Sequence, residues 1–208
     1  MYMPKEFRET RIEVLQDLMR ASPLATVVTH GVGGFAANHL PFEVIDATTL
    51  HTHVARGNEL VQMDGAEALL VFRGPDGYIS PSWYPTAHET GREVPTWDYA
   101  VVHVHGHLQV IDDPVWLRRL LARLVKRHEA NLSHPWRMGD APADHIEESI
   151  KAIVGVAVTV DRIEGKFKLS QNHPERNQAG VLTGLRARHA DGDVALADFM
   201  VHYRDTKA

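Results

Sequence analysis

The alternation of apolar and polar residues divides the chain into a leading helix, a run of strands and a helical tail. Residues 5–21 place Phe7, Ile12, Leu15, Leu18 and Met19 at helical spacing, and Pro23 ends the segment, so an amphipathic helix is expected first. From Leu24 the period shortens to two. LATVVTH (24–30), the Gly-rich turn GVGG and FAANHLPFEVI, interrupted at Pro41, predict a hairpin. LHTHVAR (50–56) predicts a third strand, GNELVQMDG a short helix or turn, and ALLVFRG (68–74) a buried strand. PTAHETGRE (85–93) is polar throughout and is expected as an exposed loop, whereas AVVHVHGHLQVI (100–111) is the longest β pattern in the chain. A helix follows, with Asp112 or Asp113 as N-cap, Pro114 in its first turn, and Trp116, Leu117, Leu120, Leu121, Leu124 and Val125 on one side. A short helix near 142–151 and the strand IVGVAVTV (153–160) come next, and the tail from 174, with Val181, Leu182, Leu185 and VALADFMVHY, reads as helical and peripheral. About six short strands without a βαβ rhythm argue for an antiparallel barrel and against a doubly wound sheet.

Composition narrows the setting. At 208 residues, with 44% apolar and 24% charged positions, the chain suits one main domain with an appendage. The absence of cysteine excludes disulfides, iron–sulfur ligation and thiolate chemistry. The start MYMPKEFRETR has no apolar signal-peptide core, and no apolar run approaches the roughly 18 residues of a membrane span, so a cytoplasmic protein without membrane contact is expected. A formal charge of −5 gives no net attraction to a phosphate backbone.

The chemistry concentrates in two aromatic segments, YISPSWY (78–84) and VPTWDY (94–99). They bring Tyr78, Trp83, Tyr84, Trp97 and Tyr99 together with the hydroxyls of Ser80, Ser82 and Thr96 on backbone stiffened by Pro81, Pro85 and Pro95. Flat apolar surface with hydrogen-bonding edges suits a planar, polar-edged ligand. The structural alternative is a pair of turns whose rings close the end of a barrel.

Other candidates are more ambiguous. His103, His105 and His107 alternate along one strand and face the same way, as do His51 and His53 on another. Side chains at i and i+2 of a regular strand stand roughly 7 Å apart, too far for two ligands each near 2 Å from one metal, so the exposed face of a half-buried strand explains them and no metal site is assigned. His39, in NHLPF, sits among apolar residues and is a pocket candidate. Arg56 ends HVAR at a Gly–Asn turn, where a guanidinium suits a phosphate. Lys168, Ser170, Gln171 and Asn172 in GKFKLSQN offer donors for the edge of a heterocycle, or form a capped polar loop. Arg118, Arg119, Arg123, Lys126 and Arg127 give one helix a basic face, which is either a solvated surface or a DNA contact. No turn and recognition helix follow it.

Taken in order, MYMPKEF, PLATVVTH, ANHLPF, HVARGN, VFRGPDGYISPSWY, VPTWDY and KLSQN resemble the PaiB family of FMN-binding negative transcriptional regulators, over nearly the whole chain to about residue 185. The resemblance implies a mainly β fold with flanking helices, the antiparallel split β-barrel of the FMN-binding, pyridoxamine-phosphate-oxidase-like type. It implies FMN as cofactor, a homodimer with ligand sites near the subunit interface, and control of degradative-enzyme and sporulation genes. Residues 1–172 would form the FMN-binding domain, with a helical appendage over 173–208. Arg56 would hold the phosphate; Trp83 and Trp97 would wall the ring; Ser80, Ser82, Tyr84, Thr96, Lys168, Ser170, Gln171 and Asn172 would complete the contacts. In VPTWDY the family commonly has Asn where this chain has Asp98, which adds an acidic group near the expected site. A regulator is expected in preference to an enzyme. Two alternatives stay open: a flavin-dependent oxidoreductase, and a heme-binding split barrel using an axial histidine from 103–107 or His173.

Overall fold

In the computed structural model, which describes residues 1–206, the chain forms β1 (Arg8–Glu9), α1 (Ile12–Ala21), β2 (Leu24–Gly31), β3 (Gly34–Pro41), β4 (Glu43–Val44), β5 (Thr49–Ala55), β6 (Glu67–Ile79), α2 (Pro85–Thr90), β7 (Thr96–Ile111), α3 (Pro114–Glu129), α4 (Ala143–Lys151), β8 (Ile153–Lys168), α5 (Glu175–Arg188) and α6 (Asp193–Asp205). Strand order is β3-β2-β6-β7-β8-β5-β4, with β1 on β8, and the ladders β1–β8, β2–β3, β2–β6, β4–β5 and β5–β8 are all antiparallel. This is the antiparallel split β-barrel with flanking helices.

The strands form where the alternation demanded them. On β5, Leu50, Thr52 and Val54 point inward while His51 and His53 lie on the less buried face; on β7, Val102, Val104 and Leu108 are buried opposite His103, His105 and His107. His107 pairs with Asp161 at 2.9 Å. Ring nitrogens of His103 and His105 lie within 4.8 Å of one another, closer than the roughly 7 Å between alternate side chains of a regular strand. Gly106 is the one position on this strand that tolerates no side chain, since a Cβ there would stand 2.2 Å from the Thr159 carbonyl oxygen.

Three expectations need correction. Residues 85–93 do not form an open loop: Pro85–Thr90 is helical, with Pro85 at its first position and Gly91 in the left-handed region closing it. The first helix begins at Ile12, because Arg8–Glu9 is spent as a strand on β8. Among the described residues there are eight strands instead of about six, and β6, β7 and β8 run past their apolar stretches into mixed sequence.

The chain gathers into two compact units, each drawn from separated segments. Unit 2 (Met19–Phe72, His103–Ile163) buries Val27, Phe42, Leu50, Leu70, Phe72 and Val156, and packs α3 through Leu117 and Leu120. Asp113 caps that helix by accepting the Val115 N–H at 2.8 Å. Unit 1 (Met1–Leu18, Arg73–Val102, Glu164–Ala208) buries Leu15, Ile79, Phe167, Val181, Leu196 and Tyr203. The tail read as peripheral therefore supplies part of unit 1's own core. Within it, Glu9 fastens α6 to β1: its carboxylate accepts from the Tyr203 hydroxyl at 2.8 Å and from Arg11 Nη2 at 2.7 Å.

Burial alone would push the Glu9 carboxyl up, but hydrogen bonds from the Arg11 side chain and backbone and from Tyr203, with the Arg11 charge, outweigh it and bring it down to about 2. A carboxyl lowered on folding stabilises the protein above its unfolded value of 4.5, and the contribution is lost as pH falls toward about 2. Melting temperature followed by circular dichroism should thus fall through this window in the wild type. Glu9→Gln should start lower at neutral pH and flatten that part of the curve; an unchanged slope would show the latch to be inert.

Candidate functional site

The aromatic segment is shaped by its own backbone. β6 ends with Tyr78 exposed and Ile79 buried, and Ser80 then caps a 3-10 turn at Pro81–Trp83, accepting the Ser82 N–H at 3.3 Å while the two hydroxyls meet at 2.7 Å. Ser82 itself is exposed and its carbonyl meets His88 Nε2 at 3.1 Å. Tyr84 faces inward and stacks on His173 with ring centres 4.6 Å apart. Its hydroxyl is buried without a hydrogen-bond partner of normal geometry, and burial pushes its pKa up.

Trp83 lies against α5. A Cβ on Gly184 would stand 2.2 Å from the Trp83 ring, and one on Gly180 would stand 2.0 Å from its carbonyl oxygen, so these glycines admit the indole to the helix surface. One turn further along α5, the Arg188 guanidinium sits 5.0 Å from the centre of the Trp83 ring and 5.9 Å from that of Tyr78. Asp193 holds it there, accepting from Arg188 Nε at 2.7 Å and again from Nη2. Together Tyr78, Ser80, Trp83, Thr183, Gly184 and Arg188 line an open cleft of about 750 Å³ within unit 1. Trp97, half exposed, is edge-on to Tyr78 at 6.3 Å and donates its indole N–H to Asp76 at 2.8 Å.

A second cluster joins the start of β7 to the end of β8. Lys168 Nζ donates to the Thr96 hydroxyl at 2.5 Å, to the Trp97 carbonyl at 2.8 Å and to Asp98 at 3.2 Å, which uses all three ammonium protons. Asp98 is 1% exposed and also accepts the Ser170 hydroxyl at 2.6 Å. Burial pushes its carboxyl up, against the pull of Ser170 and Lys168. Gln171 is likewise occupied, accepting the Leu169 N–H at 2.7 Å and donating to the Glu6 carbonyl at 3.1 Å. Thr96, Lys168, Ser170 and Gln171 are thus brought together by one another, and Asn172 follows them on the surface.

Arg56 lies in unit 2 and is engaged: Nη1 and Nη2 form a two-pronged pair with Asp112 at 2.7 and 2.8 Å, and Nε donates to the Lys151 carbonyl at 2.8 Å. Nearby on β5, the buried Nδ1 of His53 has no hydrogen-bond partner among the described residues, and burial holds that imidazole below its ordinary pKa. His39, expected near a pocket, meets the Thr26 hydroxyl at 3.1 Å through Nδ1.

Arg188, Thr183 and Asp193 were not read from the sequence. The available signal was the spacing of Gly180, Gly184 and Arg188, four residues apart on one face of a helix. The cleft they complete has aromatic walls, hydroxyl edges, a fixed cation and a volume in the range of small-ligand pockets, and these features fit a flavin.

The fold is that of a split-barrel protein. The solved structure of the FAD and heme binding protein from Mycobacterium smegmatis superposes with a TM-score of 0.61 at 21% identity, covering 83% of this chain and 78% of that one. The flavocytochrome Anf3 from Azotobacter vinelandii superposes at 0.59 and 15% identity, covering 77% and 69%. Residues 1–162 match the family described as "Putative FMN-binding domain", and the chain belongs to that family, whose cofactor is FMN. The protease synthase and sporulation protein PAI 2 of Bacillus subtilis is 30% identical over 205 residues, covering 96% of each chain.

The close seat of Trp83 on α5 gives a direct expectation. Gly184→Ala forces the indole and helix apart, so it should cost about 1–3 kcal/mol in urea unfolding and shift tryptophan emission. Unchanged stability and emission would mean that the indole does not lie on α5.

Proposed function

We propose that this chain is an FMN-binding, PaiB-like negative transcriptional regulator, cytoplasmic and homodimeric, in which flavin occupancy sets the regulatory state. The observation that carries the reading is the end-to-end likeness to the Bacillus sporulation protein. Bound FMN supplies a planar centre for hydride or single-electron exchange. Tyr78, Trp83 and Trp97 would face its ring, Ser80 and Thr183 would offer hydroxyls, and Arg188 would answer negative charge. Tyr84, Thr96, Lys168, Ser170 and Gln171 would act one step back, holding the aromatic segments in place, with Ser82 and Asn172 exposed beside them. Arg56 would take a phosphate by exchanging its exposed Asp112 partner. Dimer formation would cover the apolar Leu24, Val32 and Phe35, which stand exposed on the β2–β3 hairpin.

Regulation in this reading does not run through the basic face of α3. Arg118 pairs with Glu147, Arg123 with Glu43 at 2.9 Å, and Arg127 donates to the Arg20 carbonyl at 2.6 Å. Three of its cations are already answered, which favours contact with DNA through a partner or another surface. A flavin-dependent oxidoreductase is the second reading, favoured by the openness of the unit 1 cleft. Among the described residues no helix is long and apolar enough to cross a membrane.

Denaturing the purified protein should release a chromophore absorbing near 450 nm, roughly the flavin band, with the mass of FMN. In fluorescence titrations on folded variants, Arg56→Ala should weaken FMN roughly ten- to hundredfold and leave riboflavin unchanged, because riboflavin lacks the phosphate. Trp97→Ala should weaken both alike. Equal losses in Arg56→Ala would remove its phosphate role, and a wild type that binds no flavin would remove the reading. Turnover of a reduced nicotinamide above the free-FMN rate would favour the oxidoreductase.

A further inference from the structure

Within unit 2, α3 is seated on two neighbouring strands of the sheet, β5 and β8, and Trp116 is its anchor. A Cβ on Gly155 of β8 would collide with the Trp116 ring, so the indole lies flat on a strand position that only glycine leaves free. The same ring stands 4.7 Å, centre to centre, from the imidazole of His51 on β5. Gly155 is the register partner of His53, and residues 51 and 53 share one face of their strand. Both histidines therefore belong to the patch of sheet on which the helix rests.

That patch is built for neutral rings. Arg123 Nη2, from α3, stands 3.4 Å from His51 Nδ1, and because a guanidinium can only donate, this nitrogen must present its lone pair. His53 Nδ1 is buried with no hydrogen-bond partner among the described residues. An imidazolium carries an N–H on both ring nitrogens. Protonation would thus aim a donor at the Arg123 guanidinium in one ring and leave a buried donor unanswered in the other. The charged groups that act on His51 are Arg123 from α3, Glu43 from β4 and Asp46 from the turn after it, while β8 opposes His51 and His53 with the uncharged Ala157 and Gly155. Burial and then Arg123 lower the His51 pKa, outweighing the opposite pull of Glu43 and Asp46, and burial lowers that of His53.

We infer that His51 and His53 make the docking of α3 a proton-sensitive contact: the neutral pair holds the helix on the sheet, and protonation of the pair releases it. The device is independent of the flavin reading and is open to test without flavin. Its sign follows from the rings. A histidine whose pKa is lowered by docking favours the docked state above its ordinary value of 6.5, and that contribution is lost as pH falls from 6.5 through the lowered value. Two rings titrating together allow up to about a hundredfold change in helix opening per pH unit, against about tenfold for one.

The test is hydrogen exchange by mass spectrometry on the full-length protein between about pH 7.5 and about pH 5, corrected for the intrinsic exchange rate. Protection over 114–129 should fall roughly tenfold or more while that over β2 holds. Nuclear magnetic resonance of labelled histidines should find both rings titrating below 6.5. The double variant His51→Gln/His53→Leu, checked for native circular dichroism, has no imidazole to charge, and the Gln carbonyl can still accept from Arg123; its α3 protection should stay flat. Either ring titrating at or above 6.5 would overturn the inference. So would α3 protection that stays flat in the wild type, that falls only in step with β2, or that falls equally in the folded double variant. Should the variant not fold, the wild-type exchange and the histidine titration decide the matter by themselves.

Discussion

Unit 1 is organised around a carboxylate shut away from water. Asp98 can remain buried only because Ser170 and Lys168 both donate to it, and in doing so it fixes where the start of β7 meets the end of β8. Ser170 meets this demand at φ 58, a left-handed conformation that a residue with a Cβ adopts at a cost of about 1–3 kcal/mol, which the charge-assisted bond to Asp98 offsets. Lys168 reaches back from there to Thr96 and the Trp97 carbonyl. The exposed indole of Trp97 is therefore presented by backbone pinned on its inner side. As an aspartate, residue 98 accepts both bonds and balances the Lys168 ammonium. The acidic group that the sequence adds near the expected site is taken up by Ser170 and Lys168.

Much of the fold was legible because it follows from short-range pattern. The two-residue period of 50–56 put Leu50, Thr52 and Val54 inside, and the Asp–Pro start of α3 with its leucine face placed that helix within a residue. What was missed depends on partners distant in sequence. Pro85–Thr90 has no apolar face of its own, and its Thr86 is held by Asn177, whose amide donates to the Thr86 hydroxyl at 2.7 Å. The ends of β6 and β8 are mixed in polarity, so periodicity could not extend those strands.

The site shows the same division. YISPSWY and VPTWDY announced themselves by composition, and the structure makes Tyr78, Ser80 and Trp83 line one cleft. Arg188 was silent because an arginine near a helix end is ordinary until Asp193 and the Trp83 ring are seen around it. Arg56 was conspicuous, yet its partner Asp112 lies far along the chain, and no local pattern indicates that two of its donors are already claimed.

Charge pairing is what separates the meanings of the α3 basic face. A run of cations read from sequence is a count; what it can bind depends on how many remain unanswered. In a chain of net charge −5, acids are plentiful, and Glu43 and Glu147 pair with Arg123 and Arg118, so a polyanion would have to displace them. A phosphate backbone gains affinity from many cations acting over a long track, and on this helix two of the arginines already carry acidic partners.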